Sequence, residues 1–295
     1  MALLNTASSR PTVIIIILNY LGQQRGKKVD ENRLFHTLSP DGLFEGGNRT
    51  DVEESLGAAI TLKLVQKNGS EVQLTHEALA AIQKGEGATV SLLRNAVLDP
   101  SVNTGPWGSQ AGARDVTNAL AWYLTLSADT CPTSMEGTER SAKDLQAADF
   151  GPRHADGGGW PIENDNRWSA FRYWACGLGF AWVSPDGVLI PDPTPAIRDA
   201  LPKVMAGSSE LSARDFISRL AGEIPVLDDG RYRNFVEDNW IRRKPEQQLL
   251  TSALSEALSR IREENRLLFD DRADAARVTR FDGETFSHVR LVPKR

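Results

Sequence analysis

Cysteine is nearly missing from this chain. Its two copies, Cys131 and Cys176, lie far apart with no CxxC neighbour, which leaves neither zinc-ligand spacing nor a disulfide framework. Histidine is also scarce: His36, His76, His154 and His288 are the full set, and no two sit at the spacing that would let a helix or hairpin hold a metal. Long hydrophobic runs are absent too. Val13 to Leu18 is the most apolar stretch, but Asn19 and Gly22 follow at once, so it falls far short of the roughly 20 residues a membrane helix needs. Arg10 precedes that run without a small-residue cleavage pattern after it, which argues against a signal peptide and makes the cytoplasm the expected location. No contact with a membrane is expected.

The catalytic signatures are missing as well. There is no GxxxxGK(S/T) phosphate loop, no GxSxG elbow, no HExxH pair and no EF-hand loop. The triplet Gly157-Gly158-Gly159 follows a polar stretch rather than a strand, so it reads as a hinge and not as a dinucleotide site. Pro191-Asp192-Pro193-Thr194 resembles the opening of a metal-dependent nuclease motif, but no Asp/Glu-x-Lys strand follows it. No catalytic residue, cofactor or metal is therefore expected, and the chain is read as a non-enzyme.

What is present suits a globular protein of two or three domains. Hydrophobic residues make up 40% of the 295, and seven tryptophans can anchor cores. The net charge of −5 argues against indiscriminate coating of nucleic acid. The charge is unevenly spread, however. Residues 231–295 carry 14 Lys/Arg against 11 Asp/Glu, whereas residues 91–230 carry 11 against 18.

The periodicity predicts a mainly helical protein with small β-hairpins, arranged as tandem winged-helix modules. Pro11 to Leu21 reads as a helix, Asp30 caps a second over Glu31 to Leu38, and Asp51 caps a third over Val52 to Leu62. Leu64 to Leu74 then reads as two strands around Asn68-Gly69, a strong hairpin signal. Three helices and a hairpin give an N-terminal winged-helix domain over 1–90, in which the third helix would be the recognition helix. Residues 91–159 read as a helical connector, with helices over 77–100 and 110–130, ending in a Gly-rich linker over 128–161. C-terminal winged-helix-like domains are expected over about 160–230 and 231–295. The first contains a helix from Trp168 to Ala181 and a hairpin around Ser184-Pro185-Asp186-Gly187, with Thr194 capping a further helix to Met205. The second contains a long helix from Pro245 to Leu268 and a hairpin turning at Asp282-Gly283.

Arg242-Arg243-Lys244 beside Trp240 offers cations and a stacking surface together. Arg277, Arg280 and Arg290, with Lys294 and Arg295, decorate the last hairpin and tail, and Lys63 and Lys67 flank the first. The expected nucleic-acid contacts are therefore Lys63, Lys67, Trp240, Arg242, Arg243, Lys244, Arg277, Arg280 and Arg290. The ordinary reading of each is a solvated charge. Asp51, Glu53 and Glu54 open the first module's recognition helix and would repel phosphate, which keeps protein–protein docking open as the alternative. Asp228, Asp229, Glu237 and Asp238, near Arg231 and Arg233, read as a solvated turn. A metal-dependent nuclease, resting on scattered carboxylates, is the third and weakest reading.

Three stretches carry a family resemblance: Phe171 to Pro202 (FRYWACGLGFAWVSPDGVLIPDPTPAIRDALP), Leu254 to Asp274 (LSEALSRIREENRLLFDDRAD) and Phe286 to Leu291. They resemble the DpdG family of bacterial islands for 7-deazapurine DNA modification and restriction. The resemblance supplies no catalytic residues. It implies a cytoplasmic accessory subunit of a DNA-directed defence system, working on double-stranded DNA beside helicase- or nuclease-type partners.

Overall fold

The structure is a computed structural model that describes residues 2–5, 7–40, 49–109, 111–137, 140–153, 159–242, 244 and 249–292. It is mainly helical with small antiparallel sheets and divides into two units. Met1–Val116 and Asn164–Leu178 form the first, and Thr117–Glu163 with Gly179–Arg295 the second. Among the described residues no helix is long and apolar enough to cross a membrane.

In the first unit, helix α1 (Pro11–Gln23) starts at a proline, which lacks only an N–H the first turn could not use. It buries Ile14, Ile17, Leu18 and Leu21 along one stripe. Strand β1 (Lys28–Asp30) follows and was not legible in the sequence, because three residues carry no periodicity. Asp30 caps helix α2 (Glu31–Leu38) as expected, its carboxylate accepting from the Asn32 and Arg33 amides. Helix α3 (Thr50–Thr61) starts earlier than expected. Arg49 holds the cap position, so Asp51 is not the cap but lies in the first turn, 3.4 Å from Arg10. Strands β2 (Val65–Asn68) and β3 (Glu71–Leu74) form the hairpin that Asn68-Gly69 announced, with Gly69 in the left-handed region at φ 61°. β1 pairs with the far edge of β3, giving the antiparallel order β1-β3-β2.

The single helix expected over 77–100 is two, α4 (His76–Lys84) and α5 (Glu86–Leu98). Gly85 separates them at φ 104°, a conformation an L side chain resists. Helix α6 (Arg114–Tyr123) is shorter than the expected 110–130 and contains the boundary between the units. Helix α7 (Ala142–Phe150) lies inside the stretch read as a linker and belongs to the second unit. Its cap is Ser141, whose side chain accepts from the Asp144 amide within a stretch rich in glycine and proline. Gln146 fastens it to Ile162 with two hydrogen bonds of 2.8 Å, and Trp160 Nε1 donates to the Gly151 carbonyl. His154, Gly157 and Gly158 lie outside the described residues. Helix α8 (Asp165–Gly177) returns the chain to the first unit; capped by Asn164, it begins and ends ahead of the expected Trp168–Ala181.

The rest of the second unit begins with strands β4 (Ala181–Val183) and β5 (Leu189–Pro191), the hairpin expected around Asp186-Gly187. Helix α9 (Thr194–Val204) is capped differently from expectation. Pro193 holds the cap position, and the Asp192 carboxylate accepts from the Thr194 amide at 3.0 Å. Next come β6 (Glu210–Ser212), α10 (Ala213–Glu223) and α11 (Arg231–Glu237). Helix α12 (Ser252–Glu263) is half the length expected from Pro245–Leu268. Asn265, in the left-handed region at φ 54°, ends the helical stretch, and Leu267 and Leu268 belong to strand β7 (Leu267–Asp270). β8 (Val278–Thr279) and β9 (Thr285–Phe286) form a short hairpin, and β10 (His288–Leu291) pairs with both β6 and β7. β6 and β10 thus pair across the boundary read at 230/231.

With α11 and the β8–β9 hairpin as insertions, the order α9, β6, α10, α12, β7, β10, with strands arranged β6-β10-β7, repeats the order α1, β1, α2, α3, β2, β3, with strands arranged β1-β3-β2. α8 belongs to the first unit and the β4–β5 hairpin to the second.

Candidate functional site

Six of the seven cations expected to meet nucleic acid and described here are held by carboxylates of the chain itself. Lys67 Nζ lies 2.6 Å from Glu31, at the start of α2. Lys244 lies 2.5 Å from Asp238, and Arg277 Nε lies 2.7 Å from Asp271. Arg290 bridges Asp270 at 2.9 Å and Glu210 at 3.7 Å, along the sheet that joins β7, β10 and β6. Arg280 is not on the surface at all: its side chain is 8% exposed and is clamped by Asp282 and Glu284 on the turn it was expected to decorate. Lys63, in the left-handed region at φ 58°, donates to Ser101 Oγ at 2.9 Å. Arg243, Lys294 and Arg295 lie outside the described residues.

Trp240 and Arg242 come together as expected, the guanidinium 3.7 Å from the ring centroid. The arginine, 40% exposed, also meets a carboxylate of the chain. Arg242 Nε lies 2.5 Å from Asp149 Oδ1 on α7, and Asp149 Oδ2 accepts from Trp122 Nε1 at 2.8 Å. The Ile241 amide donates to the Asp149 carbonyl in the same place. Burial raises the Asp149 pKa, against the opposing pull of Trp122 and Arg242. A guanidinium facing a nearly buried carboxylate is an internal anchor, and withdrawing it would strand that charge.

Asp149 and Glu210 were not legible as partners because they come from elements distant in sequence from Arg242 and Arg290, whereas Asp238, Asp271, Asp282 and Glu284 lie within six residues of the cations they meet. Their effect shows in the pKa directions. Glu210 is held below the usual carboxylate range by its hydrogen bond from Arg272, and Asp271 by those from Arg277 and Thr285. Each exposed pair is individually weak, worth about 0.2–1 kcal/mol. Together they offset part of the field a phosphate backbone would feel, and displacing them leaves carboxylates facing the phosphates.

The acidic group read as a solvated turn is built into the second unit. Arg233, only 1% exposed, lies 3.2 Å from Asp228 and 3.7 Å from Glu237. Asp228 also accepts from the Thr251 amide at 2.7 Å and from its hydroxyl, so it holds the cap of α12. Asp228, Glu237 and Thr251 line a cavity of about 720 Å³ with Asp229, Asp238, Lys244 and Ser218. Burial raises the pKa of Asp229 and of Glu237. Among the described residues no group of three or more His, Cys, Asp or Glu side chains is arranged to hold a metal ion.

One arrangement was not anticipated. The β8–β9 hairpin lies against the first turn of α12. The Phe281 amide donates to Ser255 Oγ at 2.9 Å, the Leu250 amide donates to the Thr279 carbonyl at 2.9 Å, and Leu249 bridges Thr279. Ser252 and Ser255 of α12 are 5% and 3% exposed. The signal was the serine spacing in Ser252, Ser255 and Ser259, which periodicity of apolar residues does not weigh.

The DpdG-like family model matches residues 1–275. No curated protein and no solved structure matches the chain. With the match spanning all but the last 20 of its 295 residues, the chain belongs to the DpdG-like family.

Proposed function

We propose that this chain is a non-catalytic adaptor subunit of a bacterial 7-deazaguanine DNA modification and restriction system, built on two winged-helix modules that dock partner proteins. Membership in the DpdG-like family supports the system. The modules are supported by the repeated order of helix, strand, helix, helix and two strands, with the third strand between the other two. In this reading α3 and α12 hold the recognition position.

The observation that carries docking over reading DNA is the internal pairing of the cations. Lys67, Arg242, Lys244, Arg277, Arg280 and Arg290 each meet a carboxylate of the same chain. α3 adds to this, because it opens with Asp51, Glu53 and Glu54 and would set negative charge against a phosphate backbone. The partners are helicase- or nuclease-type subunits of the same system, and the cytoplasm is the place of action.

The test is capture of those subunits by the pure chain in the absence of nucleic acid. Capture that survives nuclease treatment and weakens on replacing Asp51, Glu53 and Glu54 by lysine supports docking. Capture that vanishes with nuclease treatment contradicts it. A second reading, direct contact with double-stranded DNA, is favoured by the charge of residues 231–295, where 14 Lys/Arg stand against 11 Asp/Glu.

A further inference from the structure

We propose that the β8–β9 hairpin is an autoinhibitory latch that covers a DNA-facing side of α12, and that duplex DNA binds once the latch lifts. The inference rests on the winged-helix reading of the second module, in which α12 is the recognition helix.

Ser252, Ser255, Ser259 and Arg262 succeed one another at spacings of three, four and three, which places them along one side of α12. Hydroxyls and a guanidinium are the groups that donate to phosphates and base edges. Ser252 and Ser255 are both buried, Ser252 with its hydroxyl donating to Glu256 of the same helix and Ser255 facing the chain's own hairpin. Ser255 Oγ accepts from the Phe281 amide, and Arg262 Nη1 lies 4.0 Å from Glu284 Oε2. A helix whose first turn is closed in this way cannot enter a major groove, since its N-terminal residues are those that reach base edges.

The hairpin is fastened unequally. Its base is fixed: Val278 and Phe286 are buried, Phe286 packs edge-on against Phe269 with ring centroids 5.0 Å apart, and Asp271 holds both Arg277 and Thr285. The tip is different. The Phe281 ring is 62% exposed, Arg280 is buried against Asp282 and Glu284 of the same turn and so travels with it, and the contacts that reach α12 itself are the Phe281–Ser255 hydrogen bond and the exposed Arg262–Glu284 ion pair. Such bonds contribute little net stability, because water replaces them well. A strong base and a weak tip make a flap that can lift without unfolding the module. Lifting it also carries Asp282 and Glu284 away from the cationic end of the helix.

Fluorescence anisotropy of a labelled duplex tests the latch. One variant replaces Arg280–Glu284 by Gly-Ser-Gly, leaving Val278, Thr279, Thr285 and Phe286 of the base in place. A second, Phe281→Pro, removes the amide N–H that donates to Ser255 Oγ together with the exposed ring, and leaves the net charge unchanged. The trimmed chain should bind at least about tenfold more tightly than the full chain, with an affinity that falls steeply as salt rises. Phe281→Pro should shift affinity in the same direction by a smaller factor. A trimmed chain that is folded by circular dichroism and binds no more tightly than the full chain overturns the proposal. If the trimmed chain does not fold, Phe281→Pro decides alone, and affinity equal to that of the full chain overturns it. Capture of partner subunits is scored separately on the full chain. Failure there sinks the docking reading and leaves the latch standing, whereas failure of the DNA gain sinks the latch alone.

Discussion

Arg242 Nε and Asp149 Oδ1 lie 2.5 Å apart, and the other oxygen of that carboxylate accepts from Trp122 Nε1. This contact turns an Arg-Trp pair that resembles a nucleic-acid grip into a fastener for α7. Replacing Arg242 by alanine leaves Asp149 nearly buried without its cation. The expected cost is about 1–3 kcal/mol in urea unfolding, tempered by the partial exposure of the arginine. A duplex-contact role predicts the opposite pattern, with unchanged stability and weaker DNA binding.

The N-terminal segment of the first unit hangs on one carboxylate. Asp115 accepts from the Leu3 amide at 3.3 Å and the Leu4 amide at 2.7 Å, and Leu3 and Leu4 are wholly buried. Burial raises the Asp115 pKa, with those amides and Arg167 opposing it. Asp115→Ala orphans both amides and should cost about 2–4 kcal/mol. Hydrogen exchange at Leu3 and Leu4 should rise in the same variant. Exchange as slow as in the parent chain would show that other contacts hold the segment.

Helices α1 and α8 approach too closely for a side chain between them. A Cβ at Gly177 would lie 2.6 Å from Pro11 Cβ. Gly177→Ala should therefore destabilise the first unit by about 1–3 kcal/mol, although alanine is the better helix former. A raised melting temperature would show that the helices part without cost.

Acid should weaken the sheet of the second unit. Glu210 and Asp271 have folded-state pKa values below their ordinary ones, through hydrogen bonds from Arg272 and from Arg277 with Thr285. A lowered folded value means that the stability they contribute is complete above the ordinary carboxylate pKa, near about 4, and is lost as pH falls through the lowered value. Between pH 5 and pH 3 the melting temperature should fall, and Asp271→Asn should flatten part of that fall. A variant as acid-sensitive as the parent would remove Asp271 from the account.

The sequence made some of this legible and hid the rest for physical reasons. Asn68-Gly69 and Asp186-Gly187 announced their hairpins, because those residues tolerate the backbone the turns need. Asp30 announced the start of α2. β1 and β6 were hidden, since each is three residues long and formed by pairing with a strand distant in sequence. α12 was read too long because Leu267 and Leu268 continue its apolar content, and only pairing with β10 makes them a strand. For the site, the expected cations were visible and the distant carboxylates Asp149 and Glu210 were not legible as their partners. Charge along a chain does not say which charges will meet.

The central claim is that the cations of the full chain are neutralised internally, so that it docks proteins in preference to duplex DNA. The most direct measurement is anisotropy of a labelled duplex titrated with the full chain at two salt concentrations, beside the variant carrying Arg277→Ala, Arg280→Ala and Arg290→Ala. The account predicts binding no tighter than the nonspecific range of about 10⁻⁴–10⁻⁶ M, unchanged in the triple variant. Tighter binding by the full chain, with a slope near −0.9 per phosphate contacted and lost in the triple variant, would contradict it.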